Sequence, residues 1–286
     1  MKRLIKTLKF GSEKYHESIQ IKMQHFKNKT IWITGASEGI GKVLAQQLSQ
    51  EGARIILTAR NMEKLRKVHS SLAGGNHLVY PMDLLQTDKI PQLVAELLEE
   101  IPNIDILINN AGISQRSLVK DTDLSVDRKI MELDYFAVIT LTKTLLPHFL
   151  QRKSGQIVTI SSVAGKLGTP MRSAYCAAKH AVIGFMDSLR AEVHGENIQV
   201  LVVTPGSIQT NISKNALEGD GSKHGVTDQA IANGMSVEKC AELIVKGMKA
   251  GKSELLIAQG KEKLATYLKR FAPNLLFKMV RSVSST

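Results

Sequence analysis

From residue 30 onward the chain alternates short β-branched runs with longer amphipathic stretches, and that alternation leaves few folds open. Apolar runs at Thr30–Thr34, Arg54–Thr58, His77–Tyr80, Ile104–Asn109, Gln156–Ser161, Gln199–Thr204 and Glu254–Ile257 have the length of buried strands. Between them helical spacing runs over residues 40–51, 61–72, 88–100, 124–151, 173–194 and 237–249. Strands joined through helices pair in parallel, because each crossover returns the chain to the same end of the sheet. The pattern predicts an α/β fold, a single-domain Rossmann-like doubly wound parallel sheet of about seven strands, with ligands at the carboxyl ends of the strands. Residues 211–235, rich in Gly, Ser, Asp and Lys, follow a strand end and read as a lid over a substrate or as a plain surface loop.

The first predicted strand runs directly into Thr34-Gly-Ala-Ser-Glu-Gly-Ile-Gly41. Gly35, Gly39 and Gly41 are spaced G-x-x-x-G-x-G rather than G-x-G-x-x-G, but the physical demand is the same. Such a turn must be tight, let a ligand approach the backbone, and aim a helix N-terminus at a pyrophosphate. A Gly-rich turn without a ligand is the plainer reading. The next strand ends Leu57-Thr58-Ala59-Arg60-Asn61. Ala59 offers no carboxylate to ribose hydroxyls, whereas the Arg60 fork suits a 2′-phosphate, which favours NADP(H). Glu38 argues the other way if it points at the same phosphate. Far downstream, Tyr175 and Lys179 stand four apart on a predicted helix, hence on one face. An ammonium there stabilises the phenolate and lowers a Tyr pKa otherwise near ~10 toward the range of general acid–base work.

Taken in order, these motifs resemble the short-chain dehydrogenase/reductase superfamily over roughly residues 29–260. Thr34-Gly35-x-x-x-Gly39-x-Gly41, with Ser37, Glu38 and Ile40 inside it, is similar to the family's cofactor turn. Asp83 matches its adenine-contacting Asp. Asn110-Ala111-Gly112, preceded by Asn109, matches its Asn-Asn-Ala-Gly run. Ser162 stands thirteen residues before Tyr175, as the family's catalytic Ser does. Pro205-Gly206-x-x-x-Thr210, enclosing Ile208, matches the turn that borders the nicotinamide. The resemblance implies that Tyr175 exchanges a proton with the substrate oxygen and that Ser162 orients the carbonyl. Lys179 would hold the nicotinamide ribose. Asp134 stands where the family carries an Asn that serves a proton relay, and the resemblance then implies a working but altered relay. Leu57-Thr-Ala-Arg60 and Tyr267-Leu-Lys-Arg-Phe-Ala-Pro-Asn274 are similar to the 11-beta-hydroxysteroid dehydrogenase and SDR member 7 type reductases.

The implied activity is NADP(H)-dependent hydride transfer between nicotinamide and a carbonyl or secondary alcohol of a lipophilic substrate. The alternatives are a 3-oxoacyl reductase of fatty-acid metabolism and an NADP(H)-binding regulatory protein impaired by Asp134. His148, His180 and His194 show no ligand spacing, and no metal is expected. Cys176 reads as a packing residue; Met171, Met186 and Met235 could border a lipophilic pocket or simply pack. The superfamily implies a homodimer or homotetramer built through 124–151 and 173–194.

The net charge of +12 sits at the ends. Residues 1–29 hold eight Lys/Arg and two Glu, and residues 261–286 hold six Lys/Arg and one Glu, so the stretch between carries only +12 − 6 − 5 = +1. The expected organisation is a basic extension over 1–28, a catalytic and dinucleotide-binding domain over 29–260, and a basic amphipathic extension over 261–286. Apolar residues at helical spacing, Leu4, Ile5 and Leu8 in front and Leu264, Tyr267, Leu268, Phe271 and Leu275 behind, fit docking on an anionic membrane surface or an acidic partner. A solvated tail and a packed helix are the plainer reading. No basic groove interleaved with aromatics points to nucleic acid. Two cysteines make no disulfide framework, and no run approaches a membrane span, so a cytoplasmic protein, peripheral at a membrane surface if at all, is expected.

Overall fold

In the computed structural model, which describes residues 25–281, both faces of each central strand are buried. Ile31 and Ile33 of β1 (Thr30–Thr34) enter one core and Trp32 enters the other. The same period of two places Ile55 and Leu57 of β2 (Arg54–Thr58) against Ile56, and Ile106 and Ile108 of β4 (Ile106–Asn109) against Leu107. A strand buried on both faces needs no polar alternate, which is why these runs read as continuously apolar.

With β3 (Leu78–Val79), β5 (Gly155–Ile160), β6 (Ile198–Pro205) and β7 (Glu254–Ile257), the strands form one parallel sheet in the order β3-β2-β1-β4-β5-β6-β7. One face is covered by α1 (Gly39–Gln50), α2 (Met62–His69) and α8 (Val237–Lys249). The other carries α3 (Ile90–Glu100), α5 (Ala137–Arg152) and α6 (Ser173–Glu192). The chain order reverses between β1 and β4, and that reversal opens a crevice at their carboxyl ends.

Three elements differ from the sequence reading. β3 is reduced to two residues: before it, His77 meets β2 through its side chain, Nδ1 accepting the Ile55 N–H at 3.1 Å, while after it a single backbone bond from Tyr80 N–H to Leu57 O, 2.9 Å, continues the contact. The stretch 124–151 is not one helix. α4 (Leu124–Met131) passes into a π-helical turn at Glu132–Phe136, where Ala137 N–H donates to Glu132 O, before α5 resumes. Such single-turn π segments insert one residue into a helix and gather at functional sites; this one carries Asp134. Third, the C-terminal stretch folds as two helices, α9 (Gly260–Phe271) and α10 (Pro273–Val280).

Residues 211–235, including the short α7 (Gln229–Ala232), are fastened at several points. Leu217 exchanges backbone hydrogen bonds with Ser114 and Arg116 after β4. Buried Arg116 donates to Asp228 from Nε at 2.8 Å and Nη2 at 2.5 Å, and Arg172 adds a third bond to the same carboxylate at 3.1 Å. Leu4, Ile5, Leu8 and the remaining expectations for residues 1–24 lie outside the described residues. Among the described residues no helix is long and apolar enough to cross a membrane.

Candidate active site

Thr34, the last residue of β1, joins two turns. Its Oγ1 accepts the N–H groups of Asn110 and Ala111 at 3.0 and 3.1 Å, while Asn110 Nδ2 returns bonds to the carbonyls of Thr34 and Gly35 at 3.0 and 3.2 Å. Gly35, at φ 63°, lies so close that an added Cβ would sit 2.8 Å from Ala111 Cα. This backbone needs glycine both for its conformation and for the contact. The helix N-terminus of α1 opens above the turn into a cleft of about 590 Å³, a volume suited to a dinucleotide with a small substrate.

The cleft collects the predicted residues from distant parts of the chain. Gly35, Ser37, Glu38, Gly39 and Ile40 line it from the glycine turn, Arg60 from the end of β2, and Asp83 from the loop after β3. Asn110, Ala111, Gly112, Asp134, Ser162, Tyr175 and Lys179 form its floor and inner wall; Pro205, Gly206, Ile208 and Thr210 close the far side. Gly41 is not at this surface. A Cβ there would lie 2.5 Å from Asn110 Nδ2, so this glycine lets α1 pack on the neighbouring turn. Met171, Met186 and Met235 do not line the cleft either, and Met186 is fully buried in the core. Its apolar lining includes Met82, Leu84, Leu85 and Leu133 and, toward the 211–235 segment, Ile212, Leu217 and Ile231, with Ile113 after β4.

Ser162 follows β5. Its Oγ accepts the Ala164 N–H at 3.1 Å, capping a short 3-10 turn, and contacts Pro205 O at 3.5 Å. Tyr175 and Lys179 lie one turn apart on α6, with Lys179 Nζ 5.6 Å from the centre of the Tyr175 ring. Lys179 is 4% exposed and donates to Ile160 O at 3.2 Å. Its counter-ion is Asp134, 0% exposed, whose Oδ2 stands 3.1 Å from Nζ and whose Oδ1 accepts the Ile113 N–H at 2.8 Å. The ammonium contact is close but poorly aligned, leaving Oδ2 without a proper hydrogen bond. The interaction is therefore mainly charge on charge.

These contacts set the proton affinities. Burial opposes the charge on Lys179, but Asp134 and Tyr175 outweigh it and raise its pKa. Burial also raises the Asp134 carboxyl, only partly offset by Lys179 and the Ile113 N–H. For Tyr175 burial is the largest influence and raises the pKa; Lys179 lowers it, Asp134 raises it again, and a hydrogen bond with Ser162 lowers it. The depression expected from Lys179 is thus present but does not prevail in this cleft.

Gly112 makes the Asp134–Lys179 pair possible, since a Cβ on it would lie 2.8 Å from Asp134 Oδ2 and 3.2 Å from Lys179 Nζ. Gly112→Ala is expected to cost about 1–3 kcal/mol through overpacking against a buried ion pair. Urea unfolding at constant m would measure it.

Two partners escaped the sequence reading. Lys64 pairs with Glu38 at 3.1 Å on the rim near Arg60, while Asn215 and Asn211 bond the same carboxylate at 2.9 and 3.4 Å. Asn61 accepts the Lys64 N–H at 2.9 Å as cap of α2, so Asn61-x-x-Lys64 was the available signal. The second is Glu262, bound to Ser207 beside the Pro205-Gly206 turn. Among the described residues no cluster of His, Cys, Asp or Glu could hold a metal ion.

A doubly wound sheet with a phosphate-cradling turn at its reversal point, faced across the crevice by a Ser, a Tyr and a Lys, defines a class: nicotinamide-dinucleotide oxidoreductases. Residues 29–221 match the short chain dehydrogenase family, and the chain belongs to it. It is 40% identical over 266 residues to dehydrogenase/reductase SDR family member 7B of Bos taurus, spanning 90% of this chain and 82% of that protein. With SDR family protein 7-like of Drosophila melanogaster it shares 42% identity over 264 residues, 89% of this chain and 81% of the relative. Among solved structures, a short-chain dehydrogenase from Streptomyces avermitilis superposes with a TM-score of 0.76 at 29% identity, covering 90% of this chain and 98% of that one. A metagenomic short-chain oxidoreductase solved with NADP gives 0.67 at 28% identity, covering 81% and 97%.

Proposed function

We propose that the protein uses NADP(H) to interconvert a ketone and a secondary alcohol on a lipophilic substrate. The observation that carries this reading is the convergence of Ser162, Tyr175 and Lys179 on the cleft that the glycine turn opens. Gly35, Ser37, Gly39 and Ile40 would cradle the pyrophosphate, Asp83 the adenine, and Asn110-Ala111-Gly112 the floor beneath the sugars. Pro205, Gly206, Ile208 and Thr210 would border the nicotinamide. When bound, the dinucleotide supplies or accepts hydride. Tyr175 gives its hydroxyl proton to the substrate oxygen during reduction and takes it back during oxidation. Ser162 orients the carbonyl and donates to the oxygen as charge develops on it. Lys179 holds the nicotinamide ribose and favours the phenolate; Asp134 keeps Lys179 charged and serves the proton relay as a positioning residue.

Arg60 and Lys64 on the rim, with no carboxylate at Ala59, support NADP(H) over NAD(H), and Glu38 is engaged by Lys64 and Asn215. Arg60→Ala is expected to weaken NADPH binding by roughly 10- to 100-fold, the loss of a charge-assisted bond of about 1.5–3 kcal/mol, and to spare NADH. Calorimetric titration of both cofactors checks this.

The lipophilic substrate is supported by Ile113, Ile212, Leu217 and Ile231. The deciding assay follows NADPH and NADH consumption against ketones of graded chain length, with 3-oxoacyl thioesters included. NADPH-selective turnover of lipophilic ketones supports the reading. Turnover confined to thioesters would make the protein a 3-oxoacyl reductase, and tight NADPH binding without turnover would favour a regulatory protein disabled by Asp134. The proposed organisation keeps 29–260 as the catalytic domain, flanked by basic extensions over 1–28 and 261–286. The proposed assembly is a homodimer or homotetramer through α4, α5 and α6; Phe136, in the π turn between α4 and α5, is 44% exposed. The proposed location is cytoplasmic, with peripheral membrane contact through the basic ends.

A further inference from the structure

The C-terminal helix pair is fastened to the cofactor end of the sheet by one carboxylate. Glu262, in the first turn of α9, accepts the Ser207 N–H at both oxygens, 3.1 and 3.0 Å away, and the Ser207 hydroxyl at 2.7 Å. A Cβ on Gly206 would lie 2.0 Å from Glu262 Oε2, so the carboxylate occupies the space a side chain there would fill. The opposite side of the turn is held too, since Gly206 N–H donates to Ile257 O at 2.8 Å and Met235 N–H donates to Ser207 O at 3.0 Å. A displacement of α9 therefore acts on the turn that borders the proposed nicotinamide site, and through Met235 on the end of the 211–235 segment.

The outer side of the same helix pair is apolar and basic. Six of the eleven exposed large apolar side chains among the described residues fall between 264 and 279, Phe271 being 80% exposed. Leu264, Tyr267 and Phe271, at i, i+3 and i+7, make one stripe on α9, and Leu275 and Phe277 extend the apolar surface onto α10. Lys261, Lys263, Arg270, Lys278 and Arg281 are exposed in the same stretch, and Lys269 Nζ lies 4.5 Å from the centre of the Phe277 ring. The single acid of the region, Glu262, is spent inward on Ser207. Cations beside an aromatic and aliphatic stripe, with no outward anion, fit a bilayer surface bearing anionic headgroups.

We propose that α9 and α10 dock on an anionic bilayer surface and that Glu262 couples this docking to the cofactor cleft. The proposal deepens the membrane-surface reading above and rests on the cofactor site, but not on turnover. Coupling between two sites is reciprocal: if the bilayer changes NADPH affinity, NADPH changes bilayer affinity by the same factor.

The test uses the full chain, sedimented with vesicles of zwitterionic lipid alone or mixed with anionic phospholipid, alongside calorimetric NADPH titration with and without the mixed vesicles. Wild type should sediment with the mixed vesicles only. Phe271→Glu/Leu275→Glu should lose about tenfold or more in vesicle affinity, since it replaces exposed apolar surface with negative charge, and should leave NADPH binding in solution unchanged. NADPH affinity should shift by about fivefold on vesicles in wild type and not in Glu262→Ala, which removes all three bonds to Ser207; Glu262→Gln, which keeps one acceptor oxygen, should show a smaller shift than wild type. Absence of sedimentation, or equal sedimentation of the double variant, would overturn the docking. Loss of self-association in the double variant without vesicle binding by wild type would make the face an interface between copies. Docking with unchanged NADPH affinity would overturn the role of Glu262. A protein that binds NADPH but turns over no ketone still decides both points.

Discussion

Tyr175→Phe is expected to lower kcat by about 10²- to 10⁴-fold, the usual contribution of a positioned general acid, while NADPH affinity stays within about twofold. The substitution removes one oxygen and keeps the ring, so the half-buried packing of Tyr175 on α6 and the position of Lys179 beneath it are preserved. What disappears is the only hydroxyl proposed to trade a proton with the substrate oxygen. Ser162 cannot substitute, because an aliphatic hydroxyl is a far weaker acid than a phenol; it can donate a hydrogen bond to that oxygen but not the proton itself. Steady-state rates and calorimetric cofactor binding check the result together. A fall in kcat with binding retained marks an interaction made in the transition state. Unchanged turnover would remove Tyr175 from the mechanism.

Asp134 should show the second large effect, and it has two parts. Asp134→Leu leaves the Lys179 ammonium buried without its counter-ion, a change that typically costs about 3–5 kcal/mol of stability. Asp134→Asn keeps an acceptor for the Ile113 N–H and should cost less. Its signature is instead in the pH–rate profile. The Asp134 charge raises the Tyr175 pKa and also the Lys179 pKa. Removing it leaves burial as the main influence opposing Lys179, while still protonated, in lowering the phenol pKa. In oxidation, which needs the phenolate, the acidic limb of kcat/KM should move to lower pH; in reduction, which needs the phenol, the alkaline limb should move the same way. A shift of about one pH unit is the scale for one neighbouring charge. A profile that stays in place would show that Asp134 does not act on Tyr175.

Much of this site was legible before folding because its parts are local. A glycine turn between a strand and a helix, and a Tyr and Lys four apart on a helix, are patterns that backbone geometry imposes within a few residues. The seven strands were legible for the same reason, since burial on both faces makes each run apolar. The strand ends were less so: β3 kept only Leu78 and Val79, with the Ile55 N–H on the neighbouring strand taken by the His77 ring in place of a backbone carbonyl. The π turn at Glu132–Phe136 was hidden because its residues carry ordinary helical periodicity, and only packing decides where a helix takes up an extra residue.

The sequence by itself determined the order of strands and helices, the glycine turn, the Tyr175–Lys179 face and the accumulation of charge at the two ends. Each depends on residues near one another in the chain and on propensities that act before any tertiary contact. Only the tertiary structure decided that Asp134 is the buried counter-ion of Lys179, that Gly112 leaves room for it, and that Gly41 serves packing instead of the cleft. It alone decided that Lys64 answers Glu38 and that Glu262 seats on Gly206. Those partners are 22 to 69 residues apart in sequence, and among groups so separated only the sheet's parallel order fixes which meet, because charge and size alone admit many other pairings.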